Sequence, residues 1–172
     1  MWWVVGVVAV VALVSTYLAW TAKRVDRLHA RVESAAKALD AHLMRRAAAA
    51  AVLAEDRGAV ELYAAARIAL DALPEEREAA ENDLTRQLRG LPVHQPDPAG
   101  EALVATSRRV ALARQVHTDL VRDALTARRR PLVRALRLSR GYPQPQYFDI
   151  VEPTLPVRVE PRQGAVAVLD PR

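Results

Sequence analysis

A run of 21 residues without a charged side chain, residues 2–22, constrains this chain more than any other feature. As an α-helix, its first nineteen residues span roughly 28 Å, which matches the ~30 Å hydrocarbon core of a bilayer. Aromatic residues stand at both ends of the run, where a spanning helix places its interfacial belts. The pattern predicts a single membrane anchor over residues 1–22, with interfacial side chains Trp2, Trp3, Tyr17 and Trp20.

A cleaved signal peptide is the alternative interpretation of this run. It requires a basic segment before a shorter apolar core, and Met1-Trp2-Trp3 supplies no basic residue. Basic residues instead follow the run directly, at Lys23, Arg24, Arg27 and Arg31. The positive-inside rule therefore predicts an N-terminus outside the cell and a body in the cytoplasm.

The body, residues 23–141, carries the pattern of an all-α domain. No Gly or Pro interrupts residues 23–53, and apolar residues recur at steps of three and four. The anchor helix is therefore expected to continue to about residue 54, as a rod of roughly 80 Å, and to break at Gly58. Its apolar stripe comprises Val25, Leu28, Val32, Ala35, Leu39, Leu43, Ala47 and Ala50.

Further helices are delimited by proline, glycine and capping signals. A second helix is predicted over residues 59–72, and a third from Pro74 to Gly90. Asp97-Pro98 is typical of a helix start and predicts a long last helix to about Arg129. Its predicted stripe comprises Val110, Ala113, Val116, Leu120 and Ala124.

After the long helix, Pro131 predicts a short basic helix that ends at Gly141. The short connections throughout favour antiparallel neighbours, so the body is expected to be a small up-and-down bundle of long helices. Residues 142–172 hold six prolines and are expected to form a mostly disordered tail.

Charge is distributed unevenly along the body. Residues 55–83 carry nine acids and three arginines, whereas residues 103–140 carry ten arginines and two acids. Two interpretations stay open, namely that the two parts pack against each other or that both stay solvated. The absence of cysteine excludes disulfides and thiolate metal sites.

The segment from Arg128 to Arg140 has six arginines and no acid, with Leu132, Val133 and Leu136 on one face. Such a basic amphipathic turn can lie on an anionic lipid surface. The alternatives are pairing with the acidic helices and, less favoured because no aromatic residues are interleaved, nucleic-acid binding. The candidate lipid contacts are Arg128, Arg129, Arg130, Arg134, Arg137 and Arg140.

Residues 77–82, Arg-Glu-Ala-Ala-Glu-Asn, resemble the core of the box that binds magnesium in Nudix hydrolases of nucleotide diphosphates. The rest of the box is missing, because its glycines and further glutamates would fall at Tyr63, Ala69, Asn82 and Leu84. Such a hydrolase is the alternative function from another class.

Other catalytic and metal-binding patterns are weak. His29, His42, His94 and His117 show no i,i+3 or i,i+4 pairing, and a hydrogen-bonded core position is expected for His117. Ser15, Ser34, Ser107 and Ser139 lack a nearby His and Asp in the sequence. No catalytic residue, metal or cofactor is therefore expected.

Two segments together resemble the LemA family of bacterial membrane proteins. Residues 31–46 contain a Val-Glu pair, an Asp seven residues on and a basic dipeptide, similar to the family's first helix. Residues 108–123, followed by Tyr147-Phe148-Asp149, are similar to its last helix and closing motif. Departures at Ala36, at His117-Thr118 and over residues 47–51 mark a divergent relative.

The resemblance implies a single anchor in the inner membrane of a bacterium with its N-terminus outside, a long-helix bundle in the cytoplasm and no established enzymatic activity. The function expected from the sequence is therefore a membrane-anchored scaffold or adaptor that binds other proteins, with the lipid bilayer as its other partner.

Overall fold

The computed structural model describes residues 1–91, 97–136, 141–151, 153 and 155. Within these residues the chain is helical and contains no β-strand, so the all-α prediction is confirmed. The first helix begins with the long apolar run, as predicted. In chain order the helices are α1 (Trp2–Arg57), α2 (Val60–Asp71), α3 (Arg77–Arg89), α4 (Pro98–Arg129) and α5 (Pro131–Ala135).

The end of α1 is a glycine C-cap. Gly58 has a φ of 61°, in the left-handed region that a side chain disfavours. Its N–H donates to Glu55 O at 3.3 Å, and Ala59 N–H donates to Ala54 O at 2.9 Å. These two bonds form a Schellman motif, which satisfies the last free carbonyls of the helix. The predicted break at Gly58 is confirmed.

The start of α4 also follows its predicted signal. Asp97 Oδ1 accepts from Ala99 N–H at 3.1 Å, and Pro98 is the first helical residue. The other carboxylate oxygen of Asp97 pairs with Arg57, at the end of α1. This guanidinium lowers the pKa of Asp97, and so do two backbone N–H groups, although partial burial opposes the shift.

The start of α3 differs from its prediction. Residues 74–76 form a turn, in which Glu76 N–H donates to Leu73 O at 3.0 Å, and the helix begins at Arg77. The guanidinium of Arg77 donates to Ala69 O at 3.1 Å, one of the last carbonyls of α2. This contact satisfies the end of α2, and the turn residues are therefore used to connect two helices rather than to extend one.

The chain divides into two compact units. The first comprises residues 1–42 and 112–149, and the second comprises residues 43–111 together with residues from 150 onward. Because α1 and α4 are long, each contributes one part to the first unit and another part to the second.

The core of the second unit consists of alanine and leucine from four helices. Alanine side chains allow close approach of helix backbones, and leucines fill the remaining space. The buried cluster includes Ala47, Ala50 and Leu53 of α1, Leu62, Ala66 and Ala69 of α2, Ala80, Leu84 and Leu88 of α3, and Leu103 of α4.

The first residues beyond 149 pack in the second unit. Ile150 is buried, as is Pro153, and Val151 N–H donates to Asn82 Oδ1 at 2.8 Å. The expectation that prolines keep the tail from packing is wrong here, because proline blocks a helix but permits burial in an extended chain. The rest of the tail, residues 156–172, lies outside the described residues.

The buried stripe of α4 repeats at steps of three, four and seven. Val110 and Ala124 belong to it as predicted, whereas Val116 is 56% exposed. The prediction failed at Val116 because it followed apolar residues only, and two positions of the real stripe are polar. The buried residues on this stripe are Leu103, Ser107, Val110, His117, Val121 and Ala124, and Gly100 and Val104 near the start of α4 are buried as well.

Candidate membrane-proximal site

The apolar half of α1 is exposed along its length. Residues 2–17 carry no buried side chain, and Trp2 is 92% exposed. The hydroxyls of this segment bond backward to helix carbonyls, Thr16 to Ala12 O at 2.8 Å and Thr21 to Tyr17 O at 2.9 Å. These bonds remove the penalty of placing a hydroxyl in hydrocarbon. By length and composition, α1 is the one helix among the described residues that could span a membrane.

Aromatic and basic side chains meet at the end of this segment. The rings of Tyr17 and Trp20 stack with centroids 6.2 Å apart. The guanidinium of Arg24 lies 5.6 Å from the Trp20 ring centroid, within the range of a cation–π contact. Trp3, at the other end, is exposed like Trp2. Aromatic rings at both ends and a cation at one end are the arrangement typical of membrane interfaces.

One arginine of the basic segment is used inside the first unit. Arg128 donates to Pro143 O at 2.9 Å and to Tyr142 O at 3.4 Å, and its Nη1 lies 3.3 Å from His29 Nε2. Arg128 therefore connects α4 to α1 and to the chain after Gly141. A lipid contact by Arg128 would compete with these bonds.

The structure describes only some of the other candidate lipid contacts. Arg129, Arg130 and Arg134 are exposed, and Val133 on the predicted apolar face is buried. Leu136 on that face is 41% exposed. The side chain of Leu132, and residues Arg137 and Arg140, lie outside the described part of the chain, as do His94 and Ser139.

A clasp holds Tyr142 against α1; we define it as Asp26, His29, Arg128 and Tyr142. The ring of Tyr142 stacks on His29 with centroids 4.4 Å apart, and its hydroxyl donates to Asp26 Oδ1 at 2.9 Å. This hydrogen bond to a carboxylate raises the pKa of Tyr142.

The clasp also defines the tautomer of His29. Its Nδ1 lies 2.9 Å from Val25 O, which can only accept, so Nδ1 carries the hydrogen. Nε2 then presents a lone pair to the Arg128 guanidinium. Sequence reasoning missed the clasp, because Tyr142 falls in the proline-rich region that was assigned to the tail.

A small cavity of about 160 Å³ lies beside the clasp in the first unit. Its α1 side includes Trp20, Arg24 and Val25, and its other side includes Arg130 and Val133. The walls are mainly apolar, and both arginines are exposed. Of the predicted lipid contacts that the structure describes, Arg130 alone lines this cavity.

The second unit contains a buried polar network on three helices. The guanidinium of Arg46 on α1 pairs with Glu81 Oε2 of α3 at 2.9 Å, and neither side chain is exposed. It also donates to Thr85 Oγ1 at 2.9 Å and to Ser107 Oγ of α4 at 3.3 Å. Burial lowers the pKa of Arg46, and the Glu81 carboxylate opposes that shift. Since arginine stays protonated in proteins, this is a buried ion pair.

The network changes the interpretation of the segment that resembles a Nudix box. Glu81, its central glutamate, bonds inward to Arg46, and Asn82 accepts from the backbone of Val151. Both side chains have structural partners in this fold. A carboxylate enclosed in this way cannot reach a magnesium–diphosphate complex without opening the core.

The burial expected for His117 is confirmed, since its side chain is 5% exposed. Its Nδ1 has no hydrogen-bond partner among the described residues, so the expected hydrogen bond is not found at that nitrogen. Burial lowers the pKa of His117, because an apolar environment disfavours the charged imidazolium.

No protein-family model matches this chain, and no significant match is found among curated proteins or solved structures. The function must therefore be argued from the residues and their geometry.

Removing one partner of the Arg46–Glu81 pair is expected to be far more damaging than removing both. Glu81→Leu and Arg46→Leu should each lower the free energy of unfolding by about 3–5 kcal/mol, because each leaves a buried charge. The double variant should recover most of that loss. Urea denaturation of the full chain in detergent micelles, followed by circular dichroism, measures this cycle.

The exposed pair Glu33–Lys37 is the matched control, with side chains 69% and 76% exposed. Its Leu variants should change the free energy of unfolding by less than about 0.5 kcal/mol. If a single variant at the buried pair does not fold, Glu81→Gln serves as the milder substitution. Additive losses in the double variant would contradict a coupled pair.

Acidification is expected to destabilise the protein through His117. Because the folded state lowers its pKa below the ordinary 6.5, the unfolded chain binds the proton more tightly. The free energy of unfolding should therefore fall as the pH drops through and below 6.5. The urea midpoint at pH 7.5 and pH 5.5 measures this slope, which should be shallower in His117→Leu. Equal slopes in both proteins would refute the assignment.

Proposed function

We propose that this chain is a membrane-anchored helical scaffold that positions partner proteins at the cytoplasmic face of a bacterial cell membrane. The observation that carries the proposal is the continuity of α1. This one helix begins as a charge-free, exposed segment at Trp2 and ends among fully buried residues, Ala50 and Leu53. The anchor and a wall of the second unit's core therefore belong to the same helix, without a linker between them.

Exposure of the apolar half of α1 supports a lipid environment. The exposed, largely apolar surface of residues 2–17 would be unfavourable in water, and soluble monomers rarely present one of this size. Lipid removes that cost and accepts a helix, whose backbone groups are bonded internally. The basic residues after the segment support a cytoplasmic body and an N-terminus outside.

The outer face of α2 supports protein binding. Val60 is 73% exposed and Ile68 is 61% exposed, and the two are eight residues apart, hence on one face of the helix. Tyr63 and Arg67 lie on the same side of α2. Exposed aliphatic residues next to Tyr and Arg are the composition of protein interfaces. We infer that this face contacts a partner.

The fold that we infer for the body is an antiparallel bundle of long helices, and we infer divergent membership of the LemA family from the residues given above. Two features favour a non-catalytic role. The best candidate acid, Glu81, is bonded to Arg46, and Arg128 of the candidate basic segment forms part of the clasp. Nothing in the described geometry favours a nucleotide hydrolase or a nucleic-acid binder.

Charged substitutions in the anchor are expected to release the protein from membranes. Val8→Arg with Val11→Arg should cost about 5–7 kcal/mol of insertion free energy. Extraction of membranes at alkaline carbonate pH should then move the double variant to the supernatant. The matched control, Val52→Arg with Val60→Arg, changes the same residue type at equally exposed positions of the second unit and should stay in the pellet. Release of both variants, or of neither, would contradict the anchor.

The orientation predicts which reporter is active at the C-terminus. A fluorescent protein that folds only in the cytoplasm should be active when fused after Arg172, and a phosphatase that folds only outside should not. Moving Lys23, Arg24 and Arg27 to a position before Trp2 should weaken the bias, because the charge difference across the span sets orientation. Activity of the phosphatase alone, in the native sequence, would overturn the orientation.

A further inference from the structure

The cavity next to the membrane segment combines three properties in the first unit. It lies at the level of Tyr17 and Trp20, the aromatic residues at the end of the apolar run. Its innermost walls are apolar, with Val25 and Val133 both 2% exposed. Two arginines, Arg24 and Arg130, belong to its lining. An apolar hollow with cations at an interfacial depth is matched to an amphiphile rather than to a wholly polar solute.

The two arginines are available to a ligand. Within the part of the chain that the structure describes, neither Arg24 nor Arg130 pairs with a carboxylate, and the cavity lining contains no acidic residue. The nearest acid on α1, Asp26, accepts a hydrogen bond from Tyr142. The clasp thus directs that carboxylate to Tyr142 rather than to Arg24.

We propose that this cavity binds the phosphate of one anionic phospholipid from the cytoplasmic leaflet, with Arg24 and Arg130 as its cationic contacts. The valines and Trp20 form the apolar walls for the glycerol and the first carbons of an acyl chain. Guanidinium groups suit phosphate because their planar N–H donors bond it in pairs. The inference rests on the proposed membrane anchor, which brings the cavity to headgroup depth.

The site differs from a general attraction of basic residues to an anionic surface. A diffuse attraction depends on the number of arginines near the membrane and does not depend on their exact positions. A lipid held in the cavity depends on Arg24 and Arg130 and much less on other exposed arginines.

Quenching of Trp20 by brominated lipids reports which lipid occupies the cavity. The full chain with Trp2→Phe and Trp3→Phe keeps Trp20 as its single tryptophan. It is reconstituted in phosphatidylcholine vesicles with a small fraction of brominated lipid, either phosphatidylglycerol or phosphatidylcholine. The expected result is enrichment of phosphatidylglycerol around Trp20 by about 30-fold, because each of the two arginine–headgroup contacts contributes about 1 kcal/mol.

Arg24→Gln with Arg130→Gln should bring the enrichment to about onefold. The matched control is Arg27→Gln with Arg134→Gln, which removes the same charge from exposed residues outside the cavity lining and should keep the enrichment near the native value. Because each variant is compared with itself in the two lipids, a change in Trp20 brightness cancels. Equal loss in both variants, or no enrichment in the native protein, would overturn the proposal.

Further outcomes distinguish a bound phospholipid from free phosphate, and failure of the cavity from failure of the membrane anchor. Inorganic phosphate at millimolar concentration should leave the enrichment unchanged; if it abolished the enrichment while sulfate of equal ionic strength did not, the occupant would be free phosphate. Trp20 quenched by neither lipid would mean that the anchor is not in the bilayer, which defeats the proposed function itself. Equal quenching by both lipids would defeat the cavity alone.

Discussion

The guanidinium of Arg46 imposes the strictest geometric requirement in the second unit. It lies among alanines and leucines, where an unpaired charge would cost several kcal/mol. That cost is offset only when Glu81, Thr85 and Ser107 all reach it, and these residues come from α3 and α4. One residue of α1 thus requires three helices to meet in a single register. A slip of one turn on any of them would leave the charge unsatisfied.

A core built largely from alanine explains why a polar network that fixes the helix register is useful. Alanine stripes are nearly uniform, so two helices can slide along each other with little change in packing, and apolar packing alone specifies the register weakly. A buried polar group can supply the missing specificity, at a cost in stability. On this view, Arg46 and Glu81 select one arrangement of the second unit, and their contribution to the total stability is secondary.

Features encoded within a few residues of each other were predictable from the sequence. The long apolar helix, the Gly58 break and the Asp97 cap each follow from local sequence signals, and the α1 stripe follows from helical periodicity. The polar network was not predictable, because Arg46 and Glu81 are 35 residues apart in the sequence. Each, considered in its own helix, would be assigned to the solvent-exposed face. The predicted α4 stripe is wrong at Val116 for a related reason, because Ser107 and His117 occupy core positions and a search for apolar residues does not find them.

In the candidate membrane-proximal site, the aromatic residues and Arg130 were identified from the sequence, whereas Asp26, His29 and Tyr142 were not.

The clasp shows that the spatial neighbours of an arginine matter more than the number of arginines in the segment. Residues 128–130 are all arginine, yet Arg128 and Arg130 have different neighbours in space and therefore different roles. Arg128 bonds two carbonyls and a histidine, and so joins α1 to the chain at Tyr142. Tyr142 in turn occupies Asp26, the acid closest in sequence to Arg24. By bonding that acid, the clasp directs its carboxylate away from an ion pair with Arg24, whose guanidinium can then bond an anionic headgroup.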